Sequence, residues 1–226
     1  MKLINKHGFA LFWLLATIDI AFIILDVEQY RIFSKPLLMP VLLATIISKV
    51  GFLKHQVSKI LLVAALLLAT AGDVLLLNNG AGFFIAGLVA FILMQVVYTI
   101  YFLRVKPFRS RNSVSIFSSF LLIAFIGASF CYALWNRLGD FRIPLIIYTF
   151  FLALMFTTAV NVYHYRLSKS LALDGFIPGA VLFVLSDFIL ASNMFYFKEA
   201  FIGIAVMATY CGAQYYLARG FIKHLR

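Results

Sequence analysis

Eight stretches of mostly apolar residues, each near twenty long and set close together, leave this chain few folds. They fall at about 8–25, 36–53, 58–77, 81–103, 114–135, 141–163, 175–196 and 199–220. A helix needs roughly 20 such residues to cross a hydrocarbon layer of about 30 Å. Composition agrees: 64% of the 226 residues are hydrophobic and 12% are charged. A soluble domain sits nearer one half and one quarter. The expected fold is an all-α, polytopic membrane bundle of about eight transmembrane helices, one integral membrane domain over 1–226 with no soluble domain. Lys2 and Lys6 precede the first run as in a signal peptide, but that run holds Asp19 and no small-residue cleavage site. It reads as a retained first span.

Basic residues at span ends set orientation. Of the 19 lysines and arginines, only Arg31, Lys35, Arg137, Arg142 and Lys198 fall on one side. The other fourteen share a side with both termini. An even span count with this bias puts the N- and C-termini in the cytoplasm, and a bacterial cytoplasmic membrane is the expected location. The net charge of +11 therefore does not point to nucleic acid, for little polar surface is left to bind it. Gly72-Asp73-x-x-Leu76 and Ser186-Asp187-x-x-Leu190 lie four spans apart. Two parallel four-helix halves would produce that spacing.

Ionisable groups inside a membrane are costly and tend to mark function. Asp26, Glu28, Asp140, Asp174 and Glu199 sit at span ends. Asp19, Asp73 and Asp187 lie within spans, roughly 16–22 Å up from the cytoplasmic face at 1.5 Å per residue. Lys35 and Tyr148 belong to the same outer half. Two carboxyls in a dry site need not share a protonation state. One acid beside one carboxylate is equipment for general acid catalysis, and equally for a proton relay.

Each residue also has a plainer role open to it. Asp73 could cap the polar turn Asn78-Asn79-Gly80, Asp19 could bond a neighbouring helix, and Lys35 could anchor at the interface. Gln95 and Gln214 could join helices. The Phe-rich faces read as lipid contact or packing. Pro36, Pro40, Pro144 and Pro178 read as helix starts or kinks. Cys131 and Cys211 read as small buried hydrophobes. His7, His55, His164 and His224 show no metal-ligand spacing, so no metal is expected.

Several motifs resemble those of a known family. They are Lys35-Pro36-Leu37-Leu38-Met39-Pro40, Gly72-Asp73-x-x-Leu76, Phe84-x-x-Gly87-x-x-x-Phe91 with Tyr98, and Pro144-x-x-x-Tyr148 with Met155. Gly179-Ala180-x-Leu182-Phe183-x-x-Ser186-Asp187-x-x-Leu190-Ala191 and Tyr210-x-x-Ala213-Gln214 with Gly220 complete the set. In this order the chain resembles the YhhN-like family, whose characterised members are lysoplasmalogenases. Members often carry a histidine three residues before the tyrosine matched by Tyr98; here Gln95 stands there. Gln95 either only hydrogen-bonds or marks a different activity.

The resemblance implies hydrolysis of the vinyl ether of a lysoplasmalogen, giving a fatty aldehyde and glycerophosphoethanolamine or glycerophosphocholine. One of Asp73 and Asp187 would be the acid, with Asp187 favoured, and the other a carboxylate that orients water. Lys35 would hold the lipid phosphate. Tyr148, Gln95, Gln214, Asp19, Ser186 and Asn78 would complete the substrate-binding set. The partners are a lysophospholipid and the bilayer, and no cofactor is expected. The alternative from another class is a proton-coupled or lipid transporter built on the same carboxylates.

Overall fold

The computed structural model describes residues 2–50, 56–78, 80–109 and 113–226. Lys54, His55, Asn79 and Arg111 lie outside the described residues. Among those described, eight long helices carry the chain: α1 (Lys2–Ile24), α2 (Arg31–Lys49), α3 (Gln56–Leu75), α4 (Ala81–Val105), α5 (Ser113–Ala133), α6 (Arg142–Tyr163), α7 (Ile177–Ser192) and α8 (Ile202–Leu225). No strand occurs among them. The bundle is polytopic and all-helical, as the apolar runs require.

Seven of these helices are long and apolar enough to cross a membrane. The exception, α8, is 24 residues long but carries Tyr210, Gln214, Tyr215, Tyr216 and Arg219. It can carry them because it packs against α1, α2 and α7, which bury Tyr210 and Gln214 within the bundle. The helices α1 and α8 run antiparallel. Phe9 meets Tyr215 edge to face at 5.0 Å, while Ile23 lies beside Gly203. Both termini therefore sit at one end of the bundle.

Helix α2 starts at Arg31, a full turn before the run expected from residue 36, because a short 3-10 turn at Glu28–Tyr30 leads straight into it. Pro36 and Pro40 thus lie inside the helix rather than at its start. Each lacks an N–H, so the carbonyl four residues back loses its intrahelical donor. Starting early also puts Arg31 and Lys35 one turn apart on the same face.

Neighbour packing repeats. α1, α2, α3 and α4 pack in succession, and so do α5, α6, α7 and α8. The halves join where α4 lies on α6 and where α8 lies on α1 and α2. Each half also has a close glycine contact. A Cβ on Gly72 of α3 would come within 2.7 Å of the Phe91 ring of α4, and one on Gly175, just before α7, within 2.7 Å of the Gly220 Cα of α8. Small residues let helices approach where lipid gives no hydrophobic drive to associate. The turn from α3 to α4 uses Gly80 at φ +124°, a conformation that side chains strongly disfavour.

Gly175→Val should destabilise the protein by about 1–3 kcal/mol, because the added carbons meet main chain that cannot step aside. Gly82→Ala, where the new methyl meets open space, should be neutral or slightly stabilising. Melting temperatures of the two variants in one detergent check the contrast.

Candidate functional site

A cavity of about 580 Å³ opens at the end of the bundle opposite the termini. Its rim includes Asn78, Gly80 and Ala81 from the α3–α4 turn and Ala200 from the α7–α8 turn. Its depth is set by α3. That helix is nearly all apolar, and Gly72 presses it onto Phe91, so the next residue, Asp73, is turned inward. Asp73 is 2% exposed. The Tyr210 hydroxyl of α8 donates to its Oδ2 at 2.8 Å, and Lys35 Nζ of α2 lies 3.7 Å from its Oδ1.

Asp187 of α7 faces the same cavity. The Tyr148 hydroxyl of α6 donates to its Oδ2 at 2.8 Å. The two pairs occupy equivalent places in the two halves: α2 supplies Lys35 to Asp73 of α3, and α6 supplies Tyr148 to Asp187 of α7. The partners differ in one respect that matters, since one is a cation and the other a neutral phenol. Around them the wall is apolar, with Phe84, Phe91, Phe130, Phe141, Leu145 and Phe188 among its residues. The rings of Phe130 and Phe188, 5.0 Å apart, tie α5 to α7 at this wall. Part of the Phe-rich surface expected to meet lipid thus lines the cavity.

Of the nine residues expected in the site, six line this cavity: Asp73, Asp187, Lys35, Tyr148, Ser186 and Asn78. Ser186 is buried and donates to the Val206 carbonyl at 3.1 Å, joining α7 to α8. Asn78 is exposed at the rim, its Nδ2 donating to the Val74 carbonyl at 3.0 Å. Lys35, expected to hold the lipid phosphate, forms an ion pair with Asp73 at 3.7 Å.

Three expected residues lie elsewhere. Gln214 is fully buried behind the cavity and accepts from the Tyr98 hydroxyl at 3.1 Å, a helix-to-helix bond between α8 and α4. Gln95 is also fully buried, on α4 beside the Tyr148 hydroxyl. Asp19 is fully buried too, and it holds Arg31. The Arg31 Nε and Nη2 donate to Asp19 Oδ2 at 3.2 and 3.0 Å, and the Ser34 hydroxyl donates to Oδ1 at 2.7 Å.

Sequence reasoning missed Tyr210, Arg31 and Glu28, all of which line the cavity. Tyr210 carried a signal, one turn before Gln214 on the face of α8 that closes over Asp73. Arg31 carried another, for it breaks the charge bias on the same side as Lys35, four residues before it. Glu28 gave none beyond its place at a span end.

A family model matches residues 30–221 and is described as the YhhN family. The chain belongs to the YhhN family. The match begins just before Arg31 and runs past Gly220, so it takes in both aspartates and their tyrosine and lysine partners. No curated protein and no solved structure matches the chain.

Removing one member of a buried ion pair strands the other. Asp19→Ala should therefore cost about 3–5 kcal/mol of stability. Unfolding of the purified variant in detergent, followed beside wild type, checks this; an unchanged transition would remove Asp19 as the anchor of Arg31.

Proposed function

We propose that this YhhN-family protein is a lysoplasmalogenase-like ether hydrolase whose reaction takes place in the cavity between Asp73 and Asp187. The observation that carries the reading is the unequal pairing of the two carboxyls. A carboxylate held away from water needs a compensating charge. Lys35 supplies one to Asp73, so Asp73 is the ionised member. Among the described residues the partner of Asp187 is the neutral Tyr148, and the neutral acid is its less costly form there. The family's known chemistry, a fold that spans a membrane and a largely apolar cavity of about 580 Å³ all suit a single-chain lipid. Ligand pockets commonly fall in this range of size.

The steps balance with these two groups alone. Asp187 gives its proton to the β-carbon of the vinyl ether, and the α-carbon becomes an oxocarbenium ion. Asp73, ionised and lining the same cavity, stabilises that cation. Two carboxyls manage a related cation in glycoside hydrolysis. Water then adds to the α-carbon while Asp73 takes its proton. The hemiacetal collapses as Asp187 recovers a proton from the hydroxyl and Asp73 returns its own to the departing glycerol oxygen. The products are an aldehyde and a glycerophospho-alcohol, and both carboxyls return to their starting states. Tyr148 and Tyr210 hold the carboxyls in place, and Lys35 keeps Asp73 charged.

Purified wild-type protein in detergent should release fatty aldehyde from a lysoplasmalogen and none from the saturated-ether lysolipid. In D₂O the aldehyde should carry one deuterium on the carbon next to the carbonyl, because that carbon receives the acid's proton. Asp187→Asn should lower the rate by about 10²–10⁴, the usual contribution of a positioned acid. No aldehyde from folded wild type would overturn the reading. Lipid or proton flux in proteoliposomes, without product, would instead identify a carrier using the same carboxyls.

A further inference from the structure

At the mouth of the cavity two side chains stand outside the chemistry described above. Arg31 and Glu28 both line it, three residues apart, on the lead-in to α2. Arg31 is held from behind. Asp19, fully buried and braced by Ser34, takes its Nε–H and one Nη2–H. A guanidinium has five N–H donors in a fixed plane, so three remain. Nη1 lies 3.6 Å from Glu28 Oε2, an ion pair too long for a hydrogen bond. Glu28 is 49% exposed and free to swing.

The charges at the mouth do not cancel. Asp19 balances Arg31, and Asp73 balances Lys35. Glu28 is left as an extra negative charge beside a guanidinium with unused donors. A purely anionic group would meet Arg31 but also the Glu28 carboxylate. A neutral polar group would leave the pair as it stands. A zwitterion carrying a phosphate and an ammonium resolves both, because the phosphate takes the open edge of Arg31 while Glu28 turns to the ammonium. Arg suits the first task because its plane matches phosphate oxygens in a bidentate way.

We propose that Arg31 and Glu28 form the headgroup-reading site of the cavity, Arg31 taking the phosphate and Glu28 the ammonium of a zwitterionic lysolipid, with Asp19 as the positioning residue beneath them. This rests on the lysolipid reading of the cavity and assigns its specificity to residues apart from Asp73 and Asp187. The phosphate goes to Arg31 rather than to Lys35 because the Arg31 fork lies beside Glu28, which takes the ammonium, whereas Lys35 stands at Asp73 in the reacting part of the cavity.

The test uses binding, so that it does not depend on turnover. Radiolabelled saturated-ether lysolipids of one chain length are titrated against the full-length protein in nanodiscs. One bears phosphoethanolamine, one a bare phosphate and one no phosphate. Wild type should bind the phosphoethanolamine lipid about tenfold tighter than either of the others. Glu28→Gln, a change at a half-exposed position that leaves Arg31 and Asp19 paired, should erase the advantage over the bare phosphate. It should leave the lipid without phosphate unaffected. Asp19→Asn with Arg31→Gln, changed together so that no lone charge is buried, should bring all three lipids to one affinity. Equal binding of the three lipids by wild type, or an unaltered order in Glu28→Gln, overturns the assignment while leaving the cavity a lysolipid site. Binding of none overturns both.

Discussion

A carboxylate inside an apolar bundle has to be met by a cation or by donors, and the arrangement of this protein follows from meeting that need three times. Asp19 is met by Arg31 and Ser34, Asp73 by Lys35 and Tyr210, Asp187 by Tyr148. Each set joins different helices: α1 to α2, α3 to α2 and α8, and α7 to α6. In an apolar bundle a misplaced partner is poorly compensated, so these contacts fix how the helices sit as well as what the site can do. The apolar surfaces alone would not, since lipid tails compete on equal terms with leucine.

The same need is met differently in the two halves. Packing order repeats, and the aspartates fall in corresponding helices. Yet the residue opposite the first aspartate is a lysine and that opposite the second a tyrosine. A symmetric scaffold thus holds an asymmetric pair. One carboxyl is compensated by charge and the other only by a hydrogen bond, and a difference of this kind is what acid–base chemistry uses. The two aspartates stand in corresponding helices, and their different partners, Lys35 with Tyr210 for one and Tyr148 for the other, separate their environments.

The third aspartate does a different job. Asp19 sits at a depth like the others but spends both oxygens on α2, and the cavity sees only the guanidinium it holds. Its effect reaches the mouth through Arg31. The buried glutamines divide in a similar way. Gln214 is occupied in joining helices, while Gln95 lies beside the Tyr148 hydroxyl. Neither touches the cavity.

Much of the fold was legible in the sequence. Apolar runs of membrane-spanning length, broken by charge and turn residues, determined eight helices, because a backbone in hydrocarbon has nowhere else to place its hydrogen bonds. The spacing of Gly72-Asp73 and Ser186-Asp187 placed the two aspartates four helices apart, and the scarcity of acids in apolar runs singled out both carboxyls. Tertiary structure alone decided which partner each carboxyl received. Lys35 met Asp73, Asp19 was diverted to Arg31, and α8 delivered Tyr210 from 137 residues away. Hydropathy along a chain records how deep a residue lies, since burial in lipid acts on each residue separately. It does not record which way the residue faces or what faces it, because those depend on the rotation of each helix about its axis, and only the packing of all eight together sets that.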